Sequence, residues 1–256
     1  MRLKDKVALI TGSSSGIGKG IAIGYAKEGA NIIVNYNHRK EAANEVAKII
    51  KNLGRKAIVI KADVSNKDEV DNMVNKGIEE YGKIDILVNN SGITKECLLL
   101  NLSEEMWNKI INVNLKGAFL CSQAVAKKMI NSNTKGKIIN ISSNNSFMVE
   151  PKRGPYCISK GGMDTLTKSL AAELGSYGIN VNGMALGTIK GTNIAGDFFE
   201  NKEIIAKIVA NIPLGRLGTV EDCVGPAIFL ASEESSYFQG ETIVMDGGLT
   251  ILEFSD

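Results

Sequence analysis

Short apolar runs rich in β-branched residues alternate along the chain with longer segments in which apolar residues recur at helical spacing. The short runs predict strands at Val7–Thr11, Asn31–Tyr36, Lys56–Lys61, Ile84–Asn89, Gly136–Ser142, Ile179–Ala185 and Thr242–Met245. The longer segments predict helices at Gly18–Glu28, Lys40–Leu53, Lys67–Tyr81, Met106–Ile130, Ser159–Tyr177, Asn201–Ala210 and Val220–Ala231. Strands that alternate with helices predict an α/β fold, a doubly wound parallel sheet of about seven strands flanked by helices on both faces.

Composition favours one soluble domain spanning residues 1–256 and narrows the classes of partner. Hydrophobic residues make up 44% of the chain, and the formal net charge of +2 gives no reason to expect nucleic acid or an anionic membrane as a partner. No apolar run approaches the roughly 18 residues that a membrane-spanning helix needs. The cysteines have neither metal-ligand nor disulfide spacing, which predicts reduced thiols and a cytoplasmic location; they are Cys97, Cys121, Cys157 and Cys223.

A glycine-rich loop joins the first predicted strand to the first predicted helix. Its glycines allow a sharp turn and a close approach to a pyrophosphate, and the helix N-terminus adds free N–H groups and a positive dipole. The loop therefore predicts dinucleotide binding, although an ordinary Gly/Ser turn is the alternative. The predicted contacts are Gly12, Ser14, Ser15, Gly16, Ile17 and Gly18.

The end of the second predicted strand bears on the choice between NAD and NADP. It carries no acidic residue before Glu41, so nothing there would repel a 2′-phosphate. Arg39 is placed to contact that phosphate, with His38 and Tyr36 beside it, unless Arg39 merely begins a solvated helix. NADP(H) is therefore favoured as the cofactor, with NAD(H) or the use of both as alternatives. His38 is the only histidine, so neither a histidine-centred triad nor a metal site is expected.

The next two strand ends complete the predicted cofactor contacts. Asp63, followed by Val64, can accept a hydrogen bond from an adenine amino group. Asn90, Ser91 and Gly92 follow the fourth strand, where small residues leave room for a cofactor to cross the strand tips. Either segment alone would also suit a turn.

Beyond the fifth strand lies a set of residues suited to proton transfer. Tyr156 follows Ser143 by thirteen residues, and Lys160 follows Tyr156 by four, which places the phenol and the ammonium on one helix face. A phenol is a poor base at neutral pH, and a nearby ammonium would lower its pKa. A Tyr-x-x-x-Lys pair by itself would be an ordinary surface pair. Here it follows a dinucleotide loop and a serine at a strand end.

Taken together, these motifs resemble the short-chain dehydrogenase/reductase family from Val7 to about Gly248. The resemblance rests on Thr11-Gly12-x-x-x-Gly16-x-Gly18, Asp63, Asn89-Asn90-Ser91-Gly92, Asn112-Val113-Asn114, Ser143, Tyr156-x-x-x-Lys160 and Asp246-Gly247-Gly248. It implies a Rossmann-like fold, carbonyl/alcohol hydride exchange with NAD(P), and a homotetramer. Two departures are Ser91 where the family usually has alanine, and Leu186-Gly187 where it usually has proline-glycine.

The resemblance also implies roles for individual residues. Tyr156 would be the general acid/base, and Lys160 would lower its pKa and hold the nicotinamide ribose. Ser143 would bind the substrate oxygen, and Asn114 would help to hold a water that relays protons. The loop containing Gly187 and Ile189 would contact the nicotinamide.

The substrate is a small molecule whose class the residues leave open. Predicted contacts are Glu96, Asn145, Glu150 and Arg153, beneath a lid near residues 188–212 that includes Phe198 and Phe199. Sugar and polyol dehydrogenases, glucose 1-dehydrogenases among them, are favoured by several local stretches. The alternatives are a 3-oxoacyl-[acyl-carrier-protein] reductase, a hydroxysteroid dehydrogenase and a dinucleotide-binding sensor without turnover. Against the carrier-protein reductase, Tyr177 stands where an arginine is common, and only Lys135 and Lys137 remain nearby.

Overall fold

Seven parallel strands form one sheet in the computed structural model, which describes residues 1–192 and 201–251. The strands are β1 (Val7–Ile10), β2 (Asn31–Tyr36), β3 (Ala57–Lys61), β4 (Ile86–Asn89), β5 (Lys137–Ser143), β6 (Asn180–Leu186) and β7 (Thr242–Met245). Their order is β3-β2-β1-β4-β5-β6-β7, and each neighbouring pair is parallel. The predicted Rossmann-like α/β sheet is confirmed.

The described ranges contain eight α-helices. They are α1 (Gly16–Lys27), α2 (Lys40–Asn52), α3 (Lys67–Tyr81), α4 (Glu104–Ile111), α5 (Gly117–Asn131), α6 (Gly154–Leu174), α7 (Lys202–Ala210) and α8 (Val220–Ala231). Alternate residues of the buried strands face opposite sides, so Ile10 packs with α1, α2 and α8, whereas Leu9 packs with α3, α5 and α6. None of the described helices is both long and apolar enough to cross a membrane.

Two helix predictions need correction. The single helix expected over Met106–Ile130 is three segments, because a π-helical stretch at Asn112–Lys116 separates α4 from α5. The helix expected from Ser159 begins five residues earlier, at Gly154. Pro155 lies in its first turn, where a backbone N–H has no partner within the helix and proline is therefore tolerated. This earlier start places Tyr156 inside the helix and not ahead of it.

The strand ends that carry the predicted site residues all lie at the carboxyl edge of the sheet. The strand order reverses between β1 and β4, since the chain first winds outward to β3 and then returns to the other side of β1. Parallel sheets bind ligands in the crevice that opens outside such a reversal. The glycine-rich loop after β1 and the Asn90 segment after β4 flank this crevice.

Candidate active site

The loop after β1 has a backbone shape that requires glycine. Gly12 and Gly16 have φ values of +62° and +55°, in the left-handed region. A Cβ on Gly18 would lie 2.5 Å from Asn90 Nδ2 and 2.8 Å from the Gly12 carbonyl oxygen. Helix α1 begins at Gly16 and carries no acidic residue in its first turn. The loop therefore forms a cradle, at a positive helix end, into which an anionic group fits.

Buried side chains hold this cradle in place. Asn35, at 1% exposure in β2, accepts a hydrogen bond from the Gly12 N–H at 3.0 Å and donates to the Ala62 carbonyl at 3.1 Å. Asn90 donates to the Thr11 carbonyl at 2.8 Å, and the Thr11 hydroxyl oxygen accepts from the Asn90 N–H at 2.9 Å. These bonds tie the cradle to β2 and to the loop after β4.

The adenosine end of the crevice lies beside β2 and β3. Asp63 accepts hydrogen bonds from the Ser65 hydroxyl at 2.7 Å and from Asn37 Nδ2 at 3.1 Å. Burial opposes ionisation of the Asp63 carboxyl, but these bonds and nearby His38 outweigh it and lower its pKa. Asn37 is a partner that the sequence analysis did not identify.

The predicted cofactor contacts around this end differ in exposure. His38 and Arg39 are exposed in the turn before α2, and Arg39 forms no ion pair with any residue in the described ranges. Tyr36 is buried at the end of β2. Val64 is also buried, and its side chain packs against Gly117 of α5. The Val64 side chain therefore belongs to the core.

Ser143, Tyr156 and Lys160 come together from β5 and the start of α6. The Ser143 side chain lies near enough to the Tyr156 phenol to affect its pKa, and the Lys160 Nζ lies 5.6 Å from the centre of the phenol ring. Lys160 is 3% exposed, and its Nζ donates to the Ile141 carbonyl at 2.6 Å. The helix spacing thus delivers the predicted juxtaposition of phenol and amine.

The ionisation of this pair differs from expectation. Burial raises the pKa of the Tyr156 phenol, and the nearby Ser143 side chain opposes that rise only in part. Burial also lowers the pKa of Lys160 to about 8. The predicted lowering of the phenol pKa is therefore wrong, because burial outweighs the Ser143 and Arg153 side chains, which act in the lowering direction. A phenol with a raised pKa stays protonated at neutral pH and is suited to donate a proton.

Asn114 lies in the π-helical stretch, fully buried beside α6. Its Oδ1 accepts from the Ile93 N–H at 2.8 Å, and its Nδ2 donates to the Ile93 carbonyl at 2.9 Å and to the Ser159 hydroxyl at 3.0 Å. Both amide hydrogens are thus used within the protein. The side chain ties the loop after β4 to the residue that precedes Lys160.

A cavity of about 340 Å³ joins the catalytic group to the predicted substrate contacts. Asn145, Glu150 and Arg153 line it together with Ser143, Tyr156 and Lys160. Glu96 does not line it, but its Oε1 lies 3.1 Å from Arg153 Nη2. Other lining residues include Ile17, Asn90, Gly187, Thr188, Ile189, Thr192, Ile208 and Asn211.

Described residues of the predicted lid border this cavity. Gly187 and Ile189 lie at its β6 side, and Ile189 is buried against Gly218. Residues 193–200, with Phe198 and Phe199, lie outside the described residues. Ile208 of α7 and Asn211, which directly follows α7, also line the cavity.

Comparison with known proteins now assigns the family. The family model described as enoyl-(acyl carrier protein) reductase, a short-chain dehydrogenase/reductase group, matches residues 12–250. The chain belongs to the short-chain dehydrogenase/reductase family. It is therefore an oxidoreductase that acts on alcohols or ketones with NAD(P).

Relatives within this family carry several activities. The chain is 41% identical over 251 residues to a 3-oxoacyl-[acyl-carrier-protein] reductase of Synechocystis sp., covering 97% of this chain and 98% of that protein. A crystal structure of a gluconate 5-dehydrogenase from Burkholderia cenocepacia in complex with NADP and tartrate is 37% identical, covers 98% of both chains and has a TM-score of 0.93. A short-chain type dehydrogenase/reductase from Mycobacterium marinum is also 37% identical, covers 98% of this chain and 97% of that one, and has a TM-score of 0.92.

Proposed function

We propose that this short-chain dehydrogenase/reductase exchanges a hydride between NADP(H) and a small polyhydroxylated alcohol or ketone, such as a sugar or polyol. The observation that carries the proposal is the single cavity in which Ser143, Tyr156 and Lys160 meet the polar side chains of Asn145, Glu150 and Arg153. One end of this cavity offers proton transfer, and the other offers hydrogen bonds to substrate hydroxyls. A cavity of about 340 Å³ suits a molecule of that size.

Ser143, Tyr156 and Lys160 have different roles at the substrate oxygen. When bound, the nicotinamide supplies or accepts the hydride at the substrate carbon. In reduction, Tyr156 donates its proton to the carbonyl oxygen, and its raised pKa keeps that proton in place at neutral pH. The Ser143 hydroxyl orients and polarises the same oxygen. Lys160, while protonated, stabilises the phenolate that remains and holds the nicotinamide ribose.

The preference for NADP(H) rests on charge at the adenosine end. Arg39, an exposed cation without an ion pair in the described ranges, would bind the 2′-phosphate, with His38 and Tyr36 beside it. The Gly12–Gly18 cradle would hold the pyrophosphate through Ser14, Ser15, Gly16 and Ile17. Asp63 and Val64 would flank the adenine, and Asn90, Ser91 and Gly92 the adjoining ribose and nicotinamide, with Gly187 and Ile189 on its other side. NAD(H), or both cofactors, is the alternative.

A 3-oxoacyl-[acyl-carrier-protein] reductase is the second candidate, since curated relatives at 40% and 41% identity carry that name. Docking of an acidic carrier would need exposed cations. Lys137, however, is buried and donates to Asn180 Oδ1 at 2.8 Å, and burial lowers its pKa. Tyr177 is exposed but uncharged, which leaves Lys135 as the exposed cation of the three positions.

A paired screen tests the proposal. Loss of absorbance at 340 nm is followed with NADPH and with NADH against ketoses, 3-oxoacyl thioesters and steroid ketones. We expect turnover of a ketose with NADPH and a lower kcat/KM with NADH. Turnover restricted to 3-oxoacyl thioesters would replace the first candidate with the second.

We also propose that the protein is a cytoplasmic homotetramer of one domain per chain, with the segment near 188–212 as its substrate lid. The location is supported by the four cysteines, all in the described part of the chain and all free thiols. The assembly is proposed from the family resemblance. Size-exclusion chromatography with light scattering would give the number of subunits.

A further inference from the structure

Arg153 is the cation at the substrate end of the cavity, and it lies between two carboxylates. Its Nη2 is 3.1 Å from Glu96 Oε1, and its Nη1 is 3.2 Å from Glu150 Oε2. The arginine side chain is 14% exposed, whereas the two glutamates are 58% and 44% exposed. The guanidinium is therefore nearly enclosed, and its two outer nitrogens are already paired.

Backbone hydrogen bonds hold together the loops that carry the cluster of Arg153, Glu96 and Glu150. Arg153 directly precedes α6, and its carbonyl accepts from the Cys157 N–H at 3.0 Å. Its N–H donates to the Glu150 carbonyl at 3.2 Å, and the Cys97 N–H, next to Glu96, donates to the Lys152 carbonyl at 2.8 Å. The loop after β4 and the loop after β5 are thus joined at the point where α6 begins.

The charges of the cluster do not balance. Two carboxylates and one guanidinium carry a net charge of −1 when all three groups are ionised, and Glu150 is the carboxylate of the three that lines the cavity. The other cation lining the cavity is Lys160, which lies beside Tyr156 and donates to the Ile141 carbonyl. A substrate carboxylate entering near Arg153 would meet a guanidinium whose two outer nitrogens are already paired, and it would lie beside the Glu150 carboxylate.

Uncharged hydroxyl groups find better partners here. Glu150 can accept a hydrogen bond, and Asn145, whose Nδ2 lies 3.4 Å from Glu150 Oε2, can donate or accept one. Arg153 Nε is buried and has no hydrogen-bond partner among the described residues, so one donor of the side chain is left over. Hydroxyls both donate and accept, and they carry no charge to be repelled.

We propose that Glu96 and Glu150, by holding Arg153, form a charge filter that admits uncharged, hydroxyl-bearing substrates and rejects their carboxylate analogues. This inference rests on the proposed function, because it specifies the substrate class of that same cavity.

The test removes the two carboxylates and leaves the arginine. The variant carries Glu96→Gln and Glu150→Gln, and a matched control carries Glu45→Gln and Glu79→Gln, two exposed residues of α2 and α3 that change the net charge equally. Binding of tartrate in the presence of NADP⁺ is measured by calorimetry, which needs no turnover. We expect the first variant to bind tartrate about tenfold more tightly than wild type, and the control to match wild type.

A third variant assigns the gain to the guanidinium. Adding Arg153→Gln to the first variant should abolish the gain in tartrate affinity. The single Glu96→Gln variant, which alters a mostly exposed side chain, should show part of the gain even if the double variant folds poorly. Equal tartrate affinity in wild type and in folded Glu96→Gln and double variants would overturn the filter.

Turnover then extends the test to substrates. Wild type should favour D-glucitol over D-gluconate in kcat/KM, and the double variant should narrow that preference by lowering the KM for D-gluconate. A wild-type preference for D-gluconate would also contradict the filter. If neither compound is turned over while the tartrate result holds, the proposed substrate class fails and the charge filter stands.

Discussion

The two ends of the active-site crevice are built from different kinds of contact. At the cofactor end, buried side chains such as Asn35 and Thr11 bond to backbone groups, and glycines set the path of the chain. At the substrate end, partly exposed side chains bond mainly to one another, as Arg153 does with Glu96 and Glu150. Backbone contacts tolerate few substitutions, whereas pairs of side chains can be exchanged without altering the fold. We therefore expect substitutions at the substrate end to disturb the fold less than substitutions in the cradle.

The largest expected effect comes from the point where the two ends meet. Tyr156→Phe removes the proton donor and should lower kcat by about 10³-fold. Because Phe fills the same space, fluorescence titration should show nearly unchanged NADPH affinity. Tyr177→Phe, at an exposed tyrosine, is the matched control and should keep full activity. Full activity in Tyr156→Phe would exclude the phenol as the proton donor.

A methyl group in the cradle should weaken cofactor binding. The added Cβ in Gly18→Ala would collide with Asn90 Nδ2 and with the backbone of Gly12. Overpacking of about 2 kcal/mol corresponds to an NADPH Kd about thirtyfold higher. Gly225→Ala, where a Cβ meets nothing within 4 Å, should leave the Kd unchanged. Equal affinities for the two variants would mean that the cradle adapts.

Two asparagines compare the ends directly. Asn35→Ala leaves the Gly12 N–H and the Ala62 carbonyl without their partner, so the free energy of unfolding should fall by about 1.5 kcal/mol. Asn145→Ala, at a partly exposed position of the substrate end, should cost less than about 0.5 kcal/mol. Urea unfolding monitored by circular dichroism measures both. The comparison breaks down if Asn145→Ala is the more destabilised variant.

Activity should depend on pH through Lys160. Burial lowers its pKa to about 8, so the side chain carries its charge below that pH and loses it above. Without the ammonium, the phenolate left after proton donation is less stable. We therefore expect kcat/KM for ketone reduction to be level below pH 8 and to decline as the pH rises through that value. A level profile up to pH 10 would contradict a role for the charged lysine.

The smallest effect should concern cofactor choice. Arg39→Ala removes one exposed cation, so the Kd for NADPH should rise about fivefold while that for NADH stays constant. Lys40→Ala, at the next exposed position, serves as the control. If both cofactors lose affinity equally, Arg39 contributes to folding of the turn and not to recognition of the phosphate.

Features that depend on backbone geometry could be predicted from the sequence better than features that depend on contacts between distant side chains. Glycine spacing, strand alternation and the Tyr156–Lys160 interval reflect backbone geometry, so they predicted the sheet and the catalytic juxtaposition. The π-helical stretch around Asn114 could not be foreseen, since its residues continue the helical pattern. Asn35 stood as a polar residue in an apolar strand, which was a signal of a buried structural bond.

Burial and ion pairs between distant residues could not be predicted from the sequence. The direction of the Tyr156 pKa was mispredicted because spacing gives the neighbour but not the burial of both groups. The pairing of Arg153 with Glu96 joins residues 57 positions apart, and no local sequence pattern predicts it. Both features depend on how loops fold over the sheet.

The most direct test of the central claim, hydride transfer between NADPH and a ketone, follows the hydride itself. Wild-type protein is incubated with NADPH that carries deuterium at both positions of nicotinamide C4, together with the ketone turned over best in the screen. We predict one deuterium on the new carbinol carbon of the product, seen by NMR and mass spectrometry. An alcohol product without deuterium, or no alcohol from any ketone tested, would contradict the claim.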